Sequence, residues 1–175
     1  MTSVRTARLL LLPLSRDMLQ ERLRHDEFTL RHGELELRFP TDWPGDPLPI
    51  FPALLHGLSE EGPEEGEVLG SFVLVQAATG LVVGMMGSKD PPNGAGEVEI
   101  GYGLIPAAWG QGYATEAVAE LVRHLHTWPD VRTLTAETSV TNLASERVLQ
   151  KLGFRRTGSS WSEEDGDLHT WAHQR

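Results

Sequence analysis

The sequence contains no cysteine. This absence excludes a disulfide framework, a zinc or iron–sulfur site held by thiolates, and a thiol nucleophile. Lysine is almost as scarce, because only Lys89 and Lys151 occur among the 15 basic residues. Acidic residues number 25, so the formal net charge is −10. Proteins that bind nucleic acid non-specifically neutralise phosphates with lysine and arginine, and this charge balance argues against that class.

Long hydrophobic runs are also missing from the start of the chain. The longest run there covers residues 9–14, includes Pro13, and is followed at once by Arg16 and Asp17. It is too short for a transmembrane helix, which needs about 20 apolar residues, and for the usual apolar core of a secretion signal. We therefore predict a cytoplasmic protein without a membrane partner.

The composition is otherwise that of an ordinary globular protein, with 175 residues of which 39% are hydrophobic. A chain of this length buries a sizeable core without a covalent staple. No internal repeat and no linker composition occur, so the sequence predicts a single domain over residues 1–175. Residues 59–67 hold five glutamates with glycine and proline, which is typical of a solvated loop. Five prolines occur between Phe39 and Pro52, so this stretch is expected to be irregular at least as far as Pro49, with a short helix following through Leu55.

Hydrophobic periodicity predicts a mixed α/β fold. Helices are expected at residues 17–24, 114–125 and 142–152, where Gly153 ends the last one. Strands are expected within residues 6–15, 71–76, 81–86, 97–104, 133–139, 154–161 and 168–173. The second helix has the clearest amphipathic stripe, formed by Ala114, Ala117, Val118, Leu121, Val122 and Leu125.

A glycine-containing turn precedes this second helix. The strand at 97–104 ends shortly before Gly110 and Gly112, and the helix follows directly. Glycines let a backbone approach a ligand closely, and the first turn of a helix carries unpaired N–H groups that suit a phosphate. The same pattern also fits a turn that only packs well. The phosphate-loop motif of nucleotide hydrolases is absent, and the dinucleotide fingerprint lacks its third glycine.

Three separated motifs carry a more specific signal. The stretch Pro106-Ala-Ala-Trp-Gly-Gln-Gly-Tyr-Ala-Thr-Glu-Ala117 resembles the acetyl-CoA-binding signature of the GNAT N-acetyltransferase superfamily. The stretch Thr141-Asn-Leu-Ala-Ser-Glu-Arg-Val-Leu-Gln-Lys-Leu-Gly-Phe154 is similar to the Asn-x-x-Ser helix and Lys-x-Gly-Phe end of its ribosomal-protein N-terminal acetyltransferase branch. Thr6-Ala-Arg-Leu-Leu-Leu-Leu-Pro-Leu14 resembles the first strand of that branch. Trp109 departs from the general signature, which begins with Arg or Gln, although aromatic residues look normal there in this branch.

The resemblance implies a fold and a cofactor site. The fold is the acyl-CoA N-acyltransferase fold, a mostly antiparallel central sheet flanked by helices and splayed between its fourth and fifth strands. Acetyl-CoA would lie where the strands Glu97–Leu104 and Thr133–Ser139 separate. Its pantetheine would pair with the strand end near Leu104 and Ile105, where a backbone N–H would face the thioester oxygen. Its pyrophosphate would contact five successive backbone N–H groups, those of Gln111, Gly112, Tyr113, Ala114 and Thr115.

The resemblance also implies catalytic groups for amine acetylation. Asn142 and Ser145 would face the pantetheine and the sulfur, with Ser145 protonating the departing thiolate. Asn142 alone is also a good helix N-cap, and Ser145 alone could simply face solvent. Among the residues themselves, Glu99 is our first candidate for the base that deprotonates the amine, with Glu97 second and Glu137 third. A glutamate on a strand face can equally be a structural group or an anchor for the amine.

Neither the acceptor nor the assembly follows from the sequence. The acceptor could be a protein N-terminus or a small-molecule amine, and residues 25–70, which family members use for acceptor specificity, match no known pattern. A silent acyl-CoA-binding module and a transferase of longer acyl groups are the alternatives. Members of this branch are often homodimers, and Trp161 and Trp171 would supply apolar area either to a partner or to the core. The histidine spacing predicts no metal, although His169 and His173 would share one strand face.

Overall fold

The structure is a computed structural model that describes residues 3–57 and 70–175. The predicted acidic loop at residues 59–67 lies outside the described residues. The strands are β1 (Val4–Arg5), β2 (Leu9–Pro13), β3 (Phe28–His32), β4 (Leu35–Phe39), β5 (Phe72–Gln76), β6 (Val82–Ser88), β7 (Glu97–Leu104), β8 (Thr133–Ser139), β9 (Arg155–Ser162) and β10 (Gly166–Gln174). The helices are α1 (Arg16–Arg24), α2 (Phe51–Gly57), α3 (Tyr113–Leu125) and α4 (Leu143–Lys151), with 3₁₀ turns at Leu48–Ile50 and Pro106–Ala108. No described helix is long and apolar enough to cross a membrane.

The described residues fall into two compact units. The first contains residues up to 87 together with residues 102–113, and the second contains residues 88–101 and 114–175. The chain passes between them at the end of β6, within β7 and at the start of α3. Together these elements form the mixed α/β fold with a central sheet flanked by helices that the sequence predicts.

In the first unit, antiparallel strands run in the order β1, β2, β5, β6. The middle strands are buried on both faces, as in the pair Leu11 and Leu74, which lie opposite each other and are each 1% exposed. Such strands have nearly continuous apolar sequences rather than alternating ones. This unit therefore draws its stability mainly from removing aliphatic surface from water.

An aromatic cluster adds to the core of the first unit. The rings of Phe28, Phe39 and Phe51 surround Trp43, with ring centroids 4.8 Å (Phe39) and 5.5 Å (Phe51) from it. Trp43 is fully buried and donates its indole N–H to the Gly84 carbonyl oxygen at 3.2 Å. Two of these rings belong to the hairpin of β3 and β4, which the sequence did not predict.

In the second unit, the start of β7 pairs in parallel with β8 over only three residues, Glu97–Glu99 opposite Thr133–Thr135. Strand β10 pairs with β8 on one side and with β9 on the other. The last strand in the chain therefore lies between β8 and β9 in the sheet. Trp171 is 3% exposed and donates to the Thr138 hydroxyl at 2.9 Å, whereas Trp161 is 68% exposed. Of the two tryptophans, only Trp171 closes the core.

The predicted helices of this unit are confirmed. The buried residues of α3 are Ala117, Val118, Leu121 and Leu125, all on the expected stripe. The side chain of Asn142 caps α4 by accepting the Ser145 N–H. Gly153 follows α4 with φ +86°, a left-handed conformation that glycine adopts without a steric cost.

Two histidines meet where α3 ends. The Nε2 atom of His126 lies 2.9 Å from Nδ1 of His173 on β10, and His173 also packs against the ring of Phe154. Burial lowers the pKa of His126 below its ordinary value of 6.5, and the nearby His173 and Arg175 lower it further. Such a pair is stable when both rings are neutral, because each can then supply one donor or one acceptor.

This pair predicts a pH dependence of stability. In the unfolded chain the pKa of His126 is about 6.5. Below that pH the unfolded state therefore binds a proton that the folded state binds only at a lower pH. The free energy of unfolding should therefore be highest above pH 6.5. It should decrease as the pH falls from 6.5 toward the lower pKa that His126 has in the folded protein. Chemical denaturation at a series of pH values from about 7.5 to 5 measures this dependence.

The variant His126→Gln should show a smaller decrease in stability over this range, and His32→Gln, which removes an exposed histidine of the first unit, should keep the full decrease. A wild-type stability that does not change below pH 6.5, or an unchanged slope in His126→Gln, would contradict the assignment.

Candidate acetyl-coenzyme A site

The glycine turn (residues 110–113) lies in the first unit and leads directly into α3. Gly110 and Gly112 have φ values of +72° and +79°. These are left-handed conformations that residues with a Cβ atom rarely adopt. Two such residues let the chain reverse within a few positions after the 3₁₀ turn Pro106–Ala108 and start the helix at Tyr113.

The start of α3 presents N–H groups that the helix itself cannot satisfy. In any α-helix the first four N–H groups lack an intrahelical acceptor. Here they belong to Gly112 and the three residues that follow it. Their partial positive charge, together with the helix dipole, favours an anion at this point. The residues predicted to contact the pyrophosphate thus share one turn of backbone.

Side-chain contacts hold the glycine turn in the first unit. Arg8 Nη1 donates to the Gln111 carbonyl oxygen at 2.8 Å, and its guanidinium carbon lies 4.5 Å from the centre of the Tyr113 ring. The Gln111 side chain donates to the Ala107 carbonyl oxygen at 2.8 Å. Sequence reasoning did not single out Arg8, because nothing in the opening strand signals a contact 103 residues away.

The strand end at Leu104 and Ile105 is already engaged in backbone and side-chain bonds. The Ile105 N–H donates to the Val83 carbonyl oxygen at 2.9 Å, and its own carbonyl oxygen accepts from Ala108 at 2.9 Å. Trp109, although 65% exposed, donates its indole N–H to the Leu104 carbonyl oxygen at 2.8 Å. This bond gives the aromatic residue of the motif a structural role at the strand end.

The first candidate base, Glu99, belongs to the second unit and forms an ion pair with Lys89. The Lys89 N–H also donates to the Glu99 carbonyl oxygen at 2.8 Å, so the two residues are fixed side by side. The Glu99 side chain remains 33% exposed. An incoming ammonium group would therefore compete with Lys89 for an accessible carboxylate.

The other two candidate glutamates are more exposed and have other partners. Glu97 accepts from the Asn93 side-chain amide at 2.9 Å, and Glu137 accepts from the Ser160 hydroxyl at 2.6 Å. Both contacts lie within the second unit. Each glutamate thus has a hydrogen bond that explains its presence without catalysis.

Asn142 and Ser145 come together at the start of α4. The Asn142 Oδ1 atom accepts the Ser145 N–H at 3.1 Å, which confirms the N-cap role of Asn142. Asn142 is exposed and Ser145 is half-buried. The capping bond uses the side-chain oxygen of Asn142, so its amide N–H groups point elsewhere and keep their capacity to donate.

The next residue of α4 takes part in a pair that the sequence did not reveal. Glu146 Oε1 lies 2.5 Å from Nδ1 of His169 on β10, and the two side chains are only 14% and 18% exposed. His169 and His173, which were expected on one strand face, thus have separate partners, Glu146 and His126. Among residues 3–57 and 70–175, no group of three or more metal-ligating side chains occurs.

Several known proteins are similar to part of this chain. The uncharacterised N-acetyltransferase p20 of Bacillus licheniformis is 30% identical over 105 residues, which are 60% of this chain and 56% of that protein. The FsC-acetyl coenzyme A-N(2)-transacetylase of Aspergillus fumigatus is 29% identical over 105 residues, which are 59% of this chain and 41% of that protein. The chain thus spans about half the length of the curated relatives it matches.

A solved structure and a family model extend the comparison to the whole fold. A Vibrio cholerae protein proposed as a ribosomal-protein-serine acetyltransferase superposes with a TM-score of 0.66 at 15% identity, over 99% of this chain and 98% of that one. At this identity the likeness shows the fold alone. The model of the acetyltransferase (GNAT) domain matches residues 8–155. The chain therefore belongs to the acetyltransferase (GNAT) family.

Proposed function

We propose that this chain transfers the acetyl group of acetyl-CoA to a primary amine by direct attack in a ternary complex, and that residues 1–175 form one N-acetyltransferase domain. The observation that carries the proposal is the glycine turn. Gly110 and Gly112 have left-handed backbone, and the turn ends where the unsatisfied N–H groups of α3 begin. In the family signature that this stretch resembles, the same positions bind the pyrophosphate of acetyl-CoA.

The proposed cofactor contacts follow the chain. The pyrophosphate accepts from the backbone N–H groups of residues 111–115, which are Gln111, Gly112, Tyr113, Ala114 and Thr115. The pantetheine pairs with the strand end at Leu104 and Ile105 and with the side chain of Asn142. The left-handed φ angles of the glycines and the helix dipole support the first contact. Because the Ile105 N–H already donates to Val83, Ile105 would contact the pantetheine through its carbonyl oxygen, which accepts from Ala108 and can accept a second hydrogen bond.

The proposed chemistry needs two proton transfers. A primary amine is protonated at neutral pH, since the pKa of a lysine amine is about 10.4 and that of an α-amine about 8. We propose that Glu99 takes this proton through a water molecule. The neutral amine then attacks the thioester carbonyl carbon, the carbon–sulfur bond breaks, and the attacking nitrogen passes its excess proton to the departing thiolate through the Ser145 hydroxyl, which gives one proton to the sulfur and regains one from the nitrogen. The 33% exposure of the Glu99 side chain supports its role.

We also propose to which branch of the family the chain belongs and which class of amine it acetylates. The pairing of Asn142 with Ser145, and the Lys151-Leu-Gly-Phe154 ending, favour the branch that acetylates ribosomal-protein N-termini. A small-molecule amine is the second candidate acceptor. The alternatives are an acyl-CoA-binding module without activity and a transferase of a longer acyl group, and a thiol-release assay distinguishes them.

We expect calorimetric titration to show that acetyl-CoA and CoA bind the purified protein. With a suitable amine, acetyl-CoA should then release free thiol that DTNB detects, and the absence of cysteine keeps the protein background clean. Peptides with free N-termini, polyamines and aminoglycosides cover the acceptor classes. Binding without thiol release on any amine would favour the silent module, and release only from a longer acyl-CoA would favour the other alternative. A lack of CoA binding would contradict the proposal.

For the base, we expect Glu99→Gln to lower kcat by about 10²-fold, the lower part of the range for general acid–base catalysis, while the affinity for CoA stays unchanged. Glu120→Gln is a matched control, because Glu120 lies on α3 in the same unit and pairs with Arg123. A full kcat in Glu99→Gln, or an equal loss in Glu97→Gln or Glu137→Gln instead, would overturn the assignment.

We further propose that two copies form a homodimer through β9; like the cytoplasmic location, the dimer is a prediction from the sequence. Within the described part of the chain, β9 pairs with β10 on one side and with no strand on the other. Arg155 and Arg156 begin the strand, and Glu163 and Glu164 follow its end. An antiparallel, two-fold pairing of β9 with its copy would place each basic pair against an acidic pair. The exposed Trp161 adds apolar area.

Sedimentation should therefore show a dimer that dissociates when Arg155 and Arg156 are both changed to Glu, because like charges then face each other across the interface. The reverse change, Glu163 and Glu164 to Arg, should have the same effect. A mixture of the two variants should form heterodimers. A monomeric wild type, or charge variants that dimerise as well as the wild type, would contradict this surface.

A further inference from the structure

Arg8 contacts the glycine turn from outside the acetyltransferase motif. It lies directly before β2, and its carbonyl oxygen accepts from the Ala77 N–H at 3.0 Å, which fixes its backbone to the end of β5. From this position its guanidinium reaches both the Gln111 carbonyl oxygen and the face of Tyr113. One side chain thus contacts residues on both sides of Gly112.

The bond to Gln111 determines where the Gly112 N–H points. A trans peptide unit is planar, so the carbonyl oxygen of Gln111 and the N–H of Gly112 point in opposite directions. Because Arg8 holds the carbonyl oxygen at 2.8 Å, the Gly112 N–H faces away from the guanidinium. A hydrogen bond from a charged donor is also stronger than a neutral one, so this peptide orientation is well defined.

Gly112 also leaves room for the guanidinium. Its φ of +79° disfavours any residue with a side chain, and a Cβ atom at this position would lie 3.4 Å from Arg8 Nη2. This distance is tighter than most Cβ contacts, so a side chain would crowd the hydrogen-bonded fork. The glycine therefore serves the backbone conformation and the Arg8 contact together.

Tyr113, the first residue of α3, is held on two sides. The Arg8 guanidinium lies over its ring, and the Gln76 side-chain amide donates to its hydroxyl oxygen at 3.1 Å. Restraining this side chain restrains the helix start to which it belongs. Arg8 thus acts on two successive N–H groups of the turn.

We propose that Arg8 is a positioning residue for the pyrophosphate of acetyl-CoA, an inference that rests on the proposed function. It holds the Gln111–Gly112 peptide and the start of α3 in the orientation that receives the phosphates, so that binding does not have to order them. It acts on the nucleotide end of the cofactor and not on the reacting thioester. Its loss should therefore change affinity and leave the chemical step intact.

The test compares two acetyl donors, acetyl-CoA and S-acetylpantetheine, which lacks the pyrophosphate. In Arg8→Gln we expect the KM for acetyl-CoA to rise about tenfold, the size of effect that a charged hydrogen bond supports, with kcat unchanged. The KM for S-acetylpantetheine should not change. Arg8→Lys should lie between, since lysine keeps the charge but lacks the planar fork. Arg5→Gln, which removes an exposed arginine on β1, is the matched control.

Calorimetry with CoA and with pantetheine supplies the same comparison without turnover, and circular dichroism reports whether each variant is folded. Should Arg8→Gln fail to fold, the donor comparison is made with Arg8→Lys. Unchanged CoA affinity in the folded variant, or equal losses for both donors, would overturn the role of Arg8 while the proposed function stands. A wild type that binds no CoA would overturn both.

Discussion

An α-helix cannot satisfy its own first N–H groups, and this constraint organises the candidate site. In α3 these groups begin at Gly112, the second of two glycines with left-handed backbone, so the chain turns sharply where the groups start. The contacts around the turn, from Arg8 to Gln111 and from Gln111 to Ala107, hold the backbone without using those N–H groups. The contacts that hold the turn thus involve carbonyl oxygens and not the N–H groups. An anion site requires this arrangement, because the N–H groups are the donors that bind the anion.

Much of the fold could be predicted from the sequence where one local pattern dominates. The apolar stripe of α3 and the alternation in β7 each imply a single element, and the structure places both as expected. The hairpin of β3 and β4 was missed, although Leu37 and Phe39 alternate with charged residues, because Arg31, Glu36 and Arg38 make the segment resemble a surface loop. Its aromatic rings pack against Trp43, which is itself bonded to the Gly84 carbonyl oxygen 41 residues away, and no local pattern reports such packing.

The site itself was less predictable than the fold. A motif identifies the residues that a family shares, such as Gly112 and Asn142, but the partners of those residues depend on tertiary contacts. The ion pair of Glu99 with Lys89, the bond of Trp109 to Leu104 and the contact of His169 with Glu146 all join residues whose spacing carries no signal. These partners decide which groups are accessible, so sequence reasoning could name candidate residues but not rank them by their surroundings.

The position of β10 between β8 and β9 has a consequence for the order of folding. During synthesis β8 and β9 leave the ribosome before β10 and do not pair with each other. In the described part of the chain β9 pairs with β10 alone, and β8 has, besides β10, only its three-residue pairing with β7. The inner edge of β8 and the site that Trp171 fills therefore stay open until residue 174 has been made. The hairpin of β9 and β10 is local in sequence and can form quickly, whereas its pairing with β8 closes a longer loop. The second unit thus completes its sheet in one late step, and a nascent chain exposes an unpaired strand until then.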